Sequence, residues 1–176
     1  VARAAMAAGA TIWKDDTALT WSPDSPATAA DLGCQVVLMH MHGEPQTMQQ
    51  TPRYDDVVAE VSAYLAARAA AAIAAGVHAD RIWLDPGIGF GKTLKHNLTL
   101  LNHLDQLVAL GFPVLLGASR KSFMAKIDPL AATADGRLGG SVAVALAGAR
   151  AGVAAVRVHD VRETVQALKV QEAIGA

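Results

Sequence analysis

Asp85 closes the short apolar run Ile82-Trp83-Leu84 and is followed at once by Pro86. Three glycines come next, Gly87, Gly89 and Gly91, alternating with Ile88 and Phe90 and running into Lys92-Thr93. A glycine-rich turn ending in Lys-Thr can cradle phosphate, but the spacing here is wrong for that. The phosphate loop needs Gly, four residues, then Gly-Lys-Ser/Thr. Counting back from Gly91 puts Pro86 where the first glycine belongs. The dinucleotide pattern Gly-x-Gly-x-x-Gly also fails, because its third glycine falls on Lys92. What distinguishes the turn is the carboxylate that precedes it.

Other ionisable residues follow other apolar runs. Lys14-Asp15-Asp16 follows 10–13, and His40-Met41-His42-Gly43 follows 36–39. Gly117-Ala118-Ser119-Arg120-Lys121-Ser122 follows 114–116, and Arg157 and His159-Asp160 close 154–158. These runs and 82–84 are short, bounded by Gly, Pro or polar residues, and mostly not alternating, which predicts strands buried on both faces. Helical stretches lie between them at 54–75, 97–110, 138–151 and 161–174. The first has Val57, Val58, Val61, Leu65 and Ala69 near a 3.6 period. Gly111 and Gly152 sit where helices stop. A shorter helix is predicted near 27–32, after Pro23-Asp24-Ser25-Pro26. Strands alternating with helices imply parallel β/α units, and sites in such folds gather at the carboxyl ends of the strands. Five such ends carrying polar groups point to a functional face.

Composition narrows the classes. The chain has 176 residues, enough for one domain, taken as 1–176. With 52% hydrophobic and 18% charged residues, a packed core is predicted rather than disorder. A net charge of −1 without basic clusters argues against nucleic acid or an anionic membrane as partner. No apolar run reaches the roughly 18 residues of a membrane span, and the start lacks the order of a signal peptide. The single cysteine, Cys34, excludes an internal disulfide framework, fits a reducing compartment and reads as a core thiol. The chain has no initiator methionine, and residues 1–8 read as the tail of an alanine-rich helix ending at Gly9. Five β/α units are too few for an eight-stranded barrel. The expectation is an incomplete (β/α)8 barrel, with about five parallel strands and flanking helices, lacking its first three strands; an open sheet would keep the same carboxyl-end rule.

Four stretches together resemble the dihydropteroate synthase family: Val37-Leu38-Met39-His40-Met41-His42-Gly43-Glu44-Pro45-Gln46-Thr47-Met48-Gln49, Asp85-Pro86-Gly87-Ile88-Gly89-Phe90-Gly91-Lys92, Ser119-Arg120-Lys121-Ser122-Phe123 and Arg157-Val158-His159-Asp160-Val161. They occur in the family's order and span nearly the whole chain. The resemblance implies a TIM-type barrel, usually a homodimer, in the cytoplasm of folate-making organisms. It implies a transferase that joins a dihydropterin methyl diphosphate to p-aminobenzoate with Mg2+, releasing diphosphate, and a target of sulfonamides. Two departures stand out. The family's first three strands are absent, with an asparagine and an aspartate that contact substrate. The strand that normally ends Asn-Asp-Val reads Lys14-Asp15-Asp16, so a cation replaces an amide that contacts the pterin.

With a pterin as ligand, the residues acquire roles. Asp85 accepts the paired N–H donors of the 2-amino-N3-H edge in a fork, although it can instead cap the following turn. Met39 and Phe90 offer apolar faces to the ring or belong to the core. The glycines let backbone approach a flat ring. Lys14, Asp15 and Gly117 complete the substrate-binding set. Lys121 reaches the pterin carbonyl or ring nitrogen. Arg120 and Ser122, beside a helix start, suit the benzoate carboxylate, unless they are solvated surface. Arg157 and His159, two apart on one strand and so on one face, suit the diphosphate; His159 can also cap the next helix. Lys121, Arg157 and His159 are thus the catalytic candidates. His40 and His42 could pair on a metal, but no third ligand has the spacing, and no protein metal site is assigned. Two other functions compete: a corrinoid methyltransferase with a similar Asp-Pro-Gly turn, and a non-catalytic barrel fragment that folds or associates. Ser119-Arg120-Lys121-Ser122-Phe123 argues against the former.

Overall fold

The computed structural model describes residues 1–43, 48 and 52–175. Positions 44–47 and 49 of the first of the four stretches therefore lie outside the described residues. The elements are α1 (Ala2–Ala7), β1 (Ile12–Asp15), α2 (Ser25–Leu32), β2 (Gln35–Met39), α3 (Val57–Ala74), β3 (Ile82–Asp85), α4 (Leu94–Asn102), α5 (Leu104–Val108), β4 (Leu115–Leu116), α6 (Leu138–Arg150), β5 (Ala155–Val156) and α7 (Val161–Gly175). All strand pairings are parallel. β1, β2 and β3 form one sheet in that order, and β4 and β5 form a second pair. A bridge from Leu84 to Val114 and a 2.9 Å hydrogen bond from Leu84 N to Pro113 O link the two.

The core lies between these strands and their helices. Val36, Leu38, Ile82, Leu84 and Leu116 from the strands meet Val61, Leu65, Leu100, Leu104 and Leu107 from the helices, all at most 2% exposed. Strand residues are buried on successive positions, Val36 through Met39, which is why the apolar runs did not alternate. Cys34 is buried, as expected.

Helix α3 corrects one expectation. Its 18 residues are long and apolar enough to cross a membrane by length and composition. Glu60, Ser62 and Arg68 break the apolar sequence, which is why no run of that length stands out. Here it packs by its periodic face, Val57, Val58, Val61, Leu65, Ala69 and Ala72, against the sheet side of the core. Asp56 caps it, accepting from Val58 N and Ala59 N, a device worth about 1 kcal/mol. The single helix predicted over 97–110 is two, because His103 leaves helical geometry at φ −126°. The first begins earlier, at Leu94, where Thr93 and His96 form a capping box.

Candidate active site

The ends of β1, β2 and β3 meet at Asp85. Met39 is its register partner on β2. Asp85 is 3% exposed, and burial pushes its carboxyl above the usual range. Lys14, the Gly87 N–H and Lys121 pull in the opposite direction. Its Oδ1 accepts from Gly87 N at 2.8 Å, so the turn-capping alternative holds for that oxygen. Its Oδ2 faces Lys14 Nζ at 3.6 Å. One carboxylate therefore both shapes the turn and keeps an acceptor available.

The glycines of the turn do something other than approach a ligand. A Cβ on Gly87 would collide with the His40 carbonyl oxygen, and one on Gly91 with that of His42. Both residues also have positive φ. The turn is glycine-rich because it nests against the backbone that leaves β2. At Gly89 the neighbour is the Lys121 side chain, 3.2 Å from an added Cβ.

Lys92, given no role from sequence, locks this nest. It is 3% exposed. Its Nζ donates to His40 Nδ1 at 2.9 Å and to the carbonyls of Gly87 and Phe90, each at 3.0 Å. Burial pushes its amine down to about 7. Burial, with Lys92 second, pushes His40 down to about 3, so the ring is neutral and accepts. The idea of His40 as half of a metal pair gives way to this contact. Asn97, 2% exposed, completes the lock: it accepts from Gly89 N at 2.7 Å and donates to Lys92 O and Thr93 O. The only sequence signal was a polar residue on the core side of a helix. Tyr54 donates to Gly91 O at 2.9 Å and packs on His42 and His96.

The ends of β4 and β5 face this turn. Lys121 Nζ stands 4.0 Å above the Phe90 ring, within cation–π range. Burial lowers its amine; Asp85 raises it, while Lys14 and Arg157 lower it. Lys121 thus belongs to one electrostatic cluster with Asp85, Lys14 and Arg157. Gly117 leaves room beside Asp85, with an added Cβ 3.9 Å from Oδ2. Arg157 and His159 lie just beyond β5, which is shorter than predicted, and both are exposed. Ser119, quoted but given no role from sequence, positions His159: its Oγ accepts from His159 N at 3.2 Å and lies 3.0 Å from Nδ1.

Three placements differ from expectation. Arg120 is not free for a carboxylate ligand. Its Nε and Nη2 bind Asp160 at 3.1 and 2.6 Å, and Nη1 binds Asp135 at 2.8 Å. It has φ +57°, held by Ser141 Oγ on its N–H and by Arg137 on its carbonyl. It is a clamp that sets Lys121 next to it. Ser122 is exposed and starts a 3-10 turn, Ser122–Lys126, not an α-helix, which weakens the case for an anion site there. Asp15 commits Oδ1 to Thr17, through its N–H at 2.8 Å and its hydroxyl at 2.6 Å. Met39 is buried and accepts from Lys14 through Sδ at 3.2 Å.

Residues 1–159 match the family described as pterin binding enzyme. The chain belongs to that family. It is 53% identical over 152 residues to dihydropteroate synthase of Neisseria meningitidis serogroup B, covering 85% of this chain and 52% of the relative. It superimposes on dihydropteroate synthase of Xanthomonas albilineans with 4-aminobenzoic acid, at TM-score 0.91 and 45% identity, covering 99% of this chain and 61% of that one. The Thermus thermophilus enzyme in complex with 6HMPPP gives TM-score 0.93 at 45% identity, covering 100% of this chain and 69% of that one. The chain thus spans about half the length of the Neisseria relative, and its carboxyl-end cluster lies within the residues that match the family.

Proposed function

We propose that the chain carries the pterin- and diphosphate-handling part of a dihydropteroate synthase active site, on the β/α units of an incomplete eight-stranded barrel, as one domain over 1–176. The observation that carries this reading is Asp85: a buried carboxylate with an available oxygen, flanked by Met39 and Phe90 and faced by Lys14 and Lys121. A 2-amino-4-oxo pterin edge supplies two adjacent N–H donors to such a group. Lys121 donates to the ring carbonyl or nitrogen from across the turn.

The reaction in this reading breaks the bond between the pterin methylene carbon and the diphosphate oxygen. The electron pair leaves with diphosphate. The amine of p-aminobenzoate forms the new carbon–nitrogen bond and loses one proton, giving dihydropteroate. No protein nucleophile is needed. The charge to be stabilised is the departing diphosphate, and Arg157, His159 and Lys121 stand on the side where cations gather. A preorganised cation of this kind contributes about 3 kcal/mol. Mg2+ enters as an ion carried mainly by the substrate diphosphate, where it neutralises charge, since it binds through phosphates with few protein carboxylates and keeps its waters. Among the described residues no three His, Cys, Asp or Glu side chains converge on one point, and a substrate-borne ion asks for no such cluster.

We place the protein in the cytoplasm and assign it to self-association, as the family resemblance implies; Val165, Val170 and Ile174 expose apolar surface along α7. Sedimentation velocity measures that association. The test of function is dihydropteroate formation from 6-hydroxymethyl-7,8-dihydropterin diphosphate, p-aminobenzoate and Mg2+ by the unmodified chain and by Lys121→Ala. The expected result is turnover that falls by about 100-fold in the variant. Pterin binding without turnover would convert the reading to a binding-only fragment of the site, consistent with the 52% span of the Neisseria relative.

A further inference from the structure

Lys14 has three acceptors within reach, and it does not use the one that electrostatics favours. Its Nζ lies 2.5 Å from Asp16 Oδ1, 3.2 Å from Met39 Sδ and 3.6 Å from Asp85 Oδ2. The Asp16 side chain is 55% exposed and that of Asp85 4%. Attraction between charges strengthens as water is excluded, so an undirected ammonium would settle on Asp85. Instead it hydrogen-bonds to the wet carboxylate and stops short of the buried one. Asp16 opens the turn just beyond β1, and its carboxylate folds back onto the Lys14 ammonium. Among the described residues, Asp85 Oδ2 accepts no hydrogen bond, while Oδ1 accepts one and keeps a second lone pair.

We propose that Asp16 is a positioning residue for ligand binding: it holds Lys14 away from Asp85, so that the Oδ2 of this carboxylate stays open to a ligand's paired N–H donors. This rests on the pterin reading of Asp85. Lys14 at 3.6 Å counters the effect of burial on the carboxylate and is too far to occupy it. Without Asp16, Lys14 closes onto Oδ2, and a ligand must displace a buried ion pair to enter. Lys14 thereby tunes which ligands bind. A heterocycle with two adjacent donors competes for Asp85, and one with a single donor does not.

The test is a double-mutant cycle read by the fluorescence of 6-hydroxymethylpterin on titration with protein. Asp16→Ala should weaken binding about tenfold in the unmodified chain and by less than about twofold in the Lys14→Ala background. No loss in the first case, or equal loss in both, overturns the proposal. A second measurement needs no ligand: the carboxyl carbon of Asp85 followed by NMR through its titration. Asp16 also repels charge on Asp85 directly, so the comparison is between backgrounds: Asp16→Ala should lower the Asp85 midpoint by more in the unmodified chain than in the Lys14→Ala background, and equal shifts overturn the proposal. Probe binding that survives Asp85→Asn would instead sink the pterin reading, with the NMR titration still deciding the role of Asp16.

Discussion

The two halves of the site are built in opposite ways. At the ends of β2 and β3, the Asp85 turn is buried and held by contacts that leave no slack: glycines against the carbonyls of His40 and His42, Lys92 across the His40 ring and the backbone carbonyls of His40, Gly87 and Phe90, and Asn97 beneath. At the ends of β4 and β5, Arg157 and His159 are exposed, and the local backbone is held by ion pairs from Arg120 to Asp135 and Asp160. The difference suits the two tasks that the proposed function gives them. A neutral heterocycle is recognised by geometry, which requires rigid donors and acceptors. A diphosphate is recognised by charge, which tolerates exposed and adjustable cations.

Perturbing the rigid half should cost most. His40 sits at about 3 in the fold against 6.5 unfolded, and Lys92 at about 7 against 10.5. Both bind fewer protons folded than unfolded, so stability rises with pH through each window. As pH falls from 6.5 to 3, the His40 contribution alone removes on the order of 4 to 5 kcal/mol. Urea unfolding of His40→Gln against the unmodified chain checks this: the acid limb should flatten in the variant. Gly87→Ala meets both a positive φ and the His40 carbonyl, and should lower unfolding free energy by about 4 kcal/mol. Lys92→Met strands two carbonyls and a ring nitrogen, and should cost about 3 kcal/mol in the same assay. The exposed half should respond least. Asp160→Asn is expected to lower the unfolding free energy by less than Gly87→Ala or Lys92→Met, because its pair with Arg120 is only part-buried and the amide oxygen keeps one of the two hydrogen bonds. Its effect should appear in turnover, through the displaced Lys121. A large stability loss there would erase the contrast between the halves.

Much of this was legible in the sequence. The five strands fall within two residues of the apolar runs, because buried parallel strands need such runs. Asp85 and Lys121 were legible as chemical groups because a carboxylate and a lysine stand at strand ends. Their partners were not. His40 and Lys92 are 52 residues apart and Arg120 and Asp160 are 40 apart, and no local pattern encodes such pairs. Arg120 was read as ligand-facing because its charge is visible in sequence and its neutralisation is not. The glycines were read as making room for a ligand, since a sequence shows only that room is needed, not for whom.

The seam between the two sheets carries a mechanical consequence. Asp85 ends a strand on one side of it, and Lys121 follows a strand on the other, joined by the Leu84–Val114 bridge and the Leu84 N–H to Pro113 bond. The two half-sites are jaws, and this stitch is their hinge pin. Sliding β4 along β3 by one residue, about 3.3 Å, would separate a lysine from the ring beneath it and widen the gap between Asp85 and Lys121. The deuterium exchange rate of one amide, Leu84, is therefore the gauge of how firmly the jaws are set.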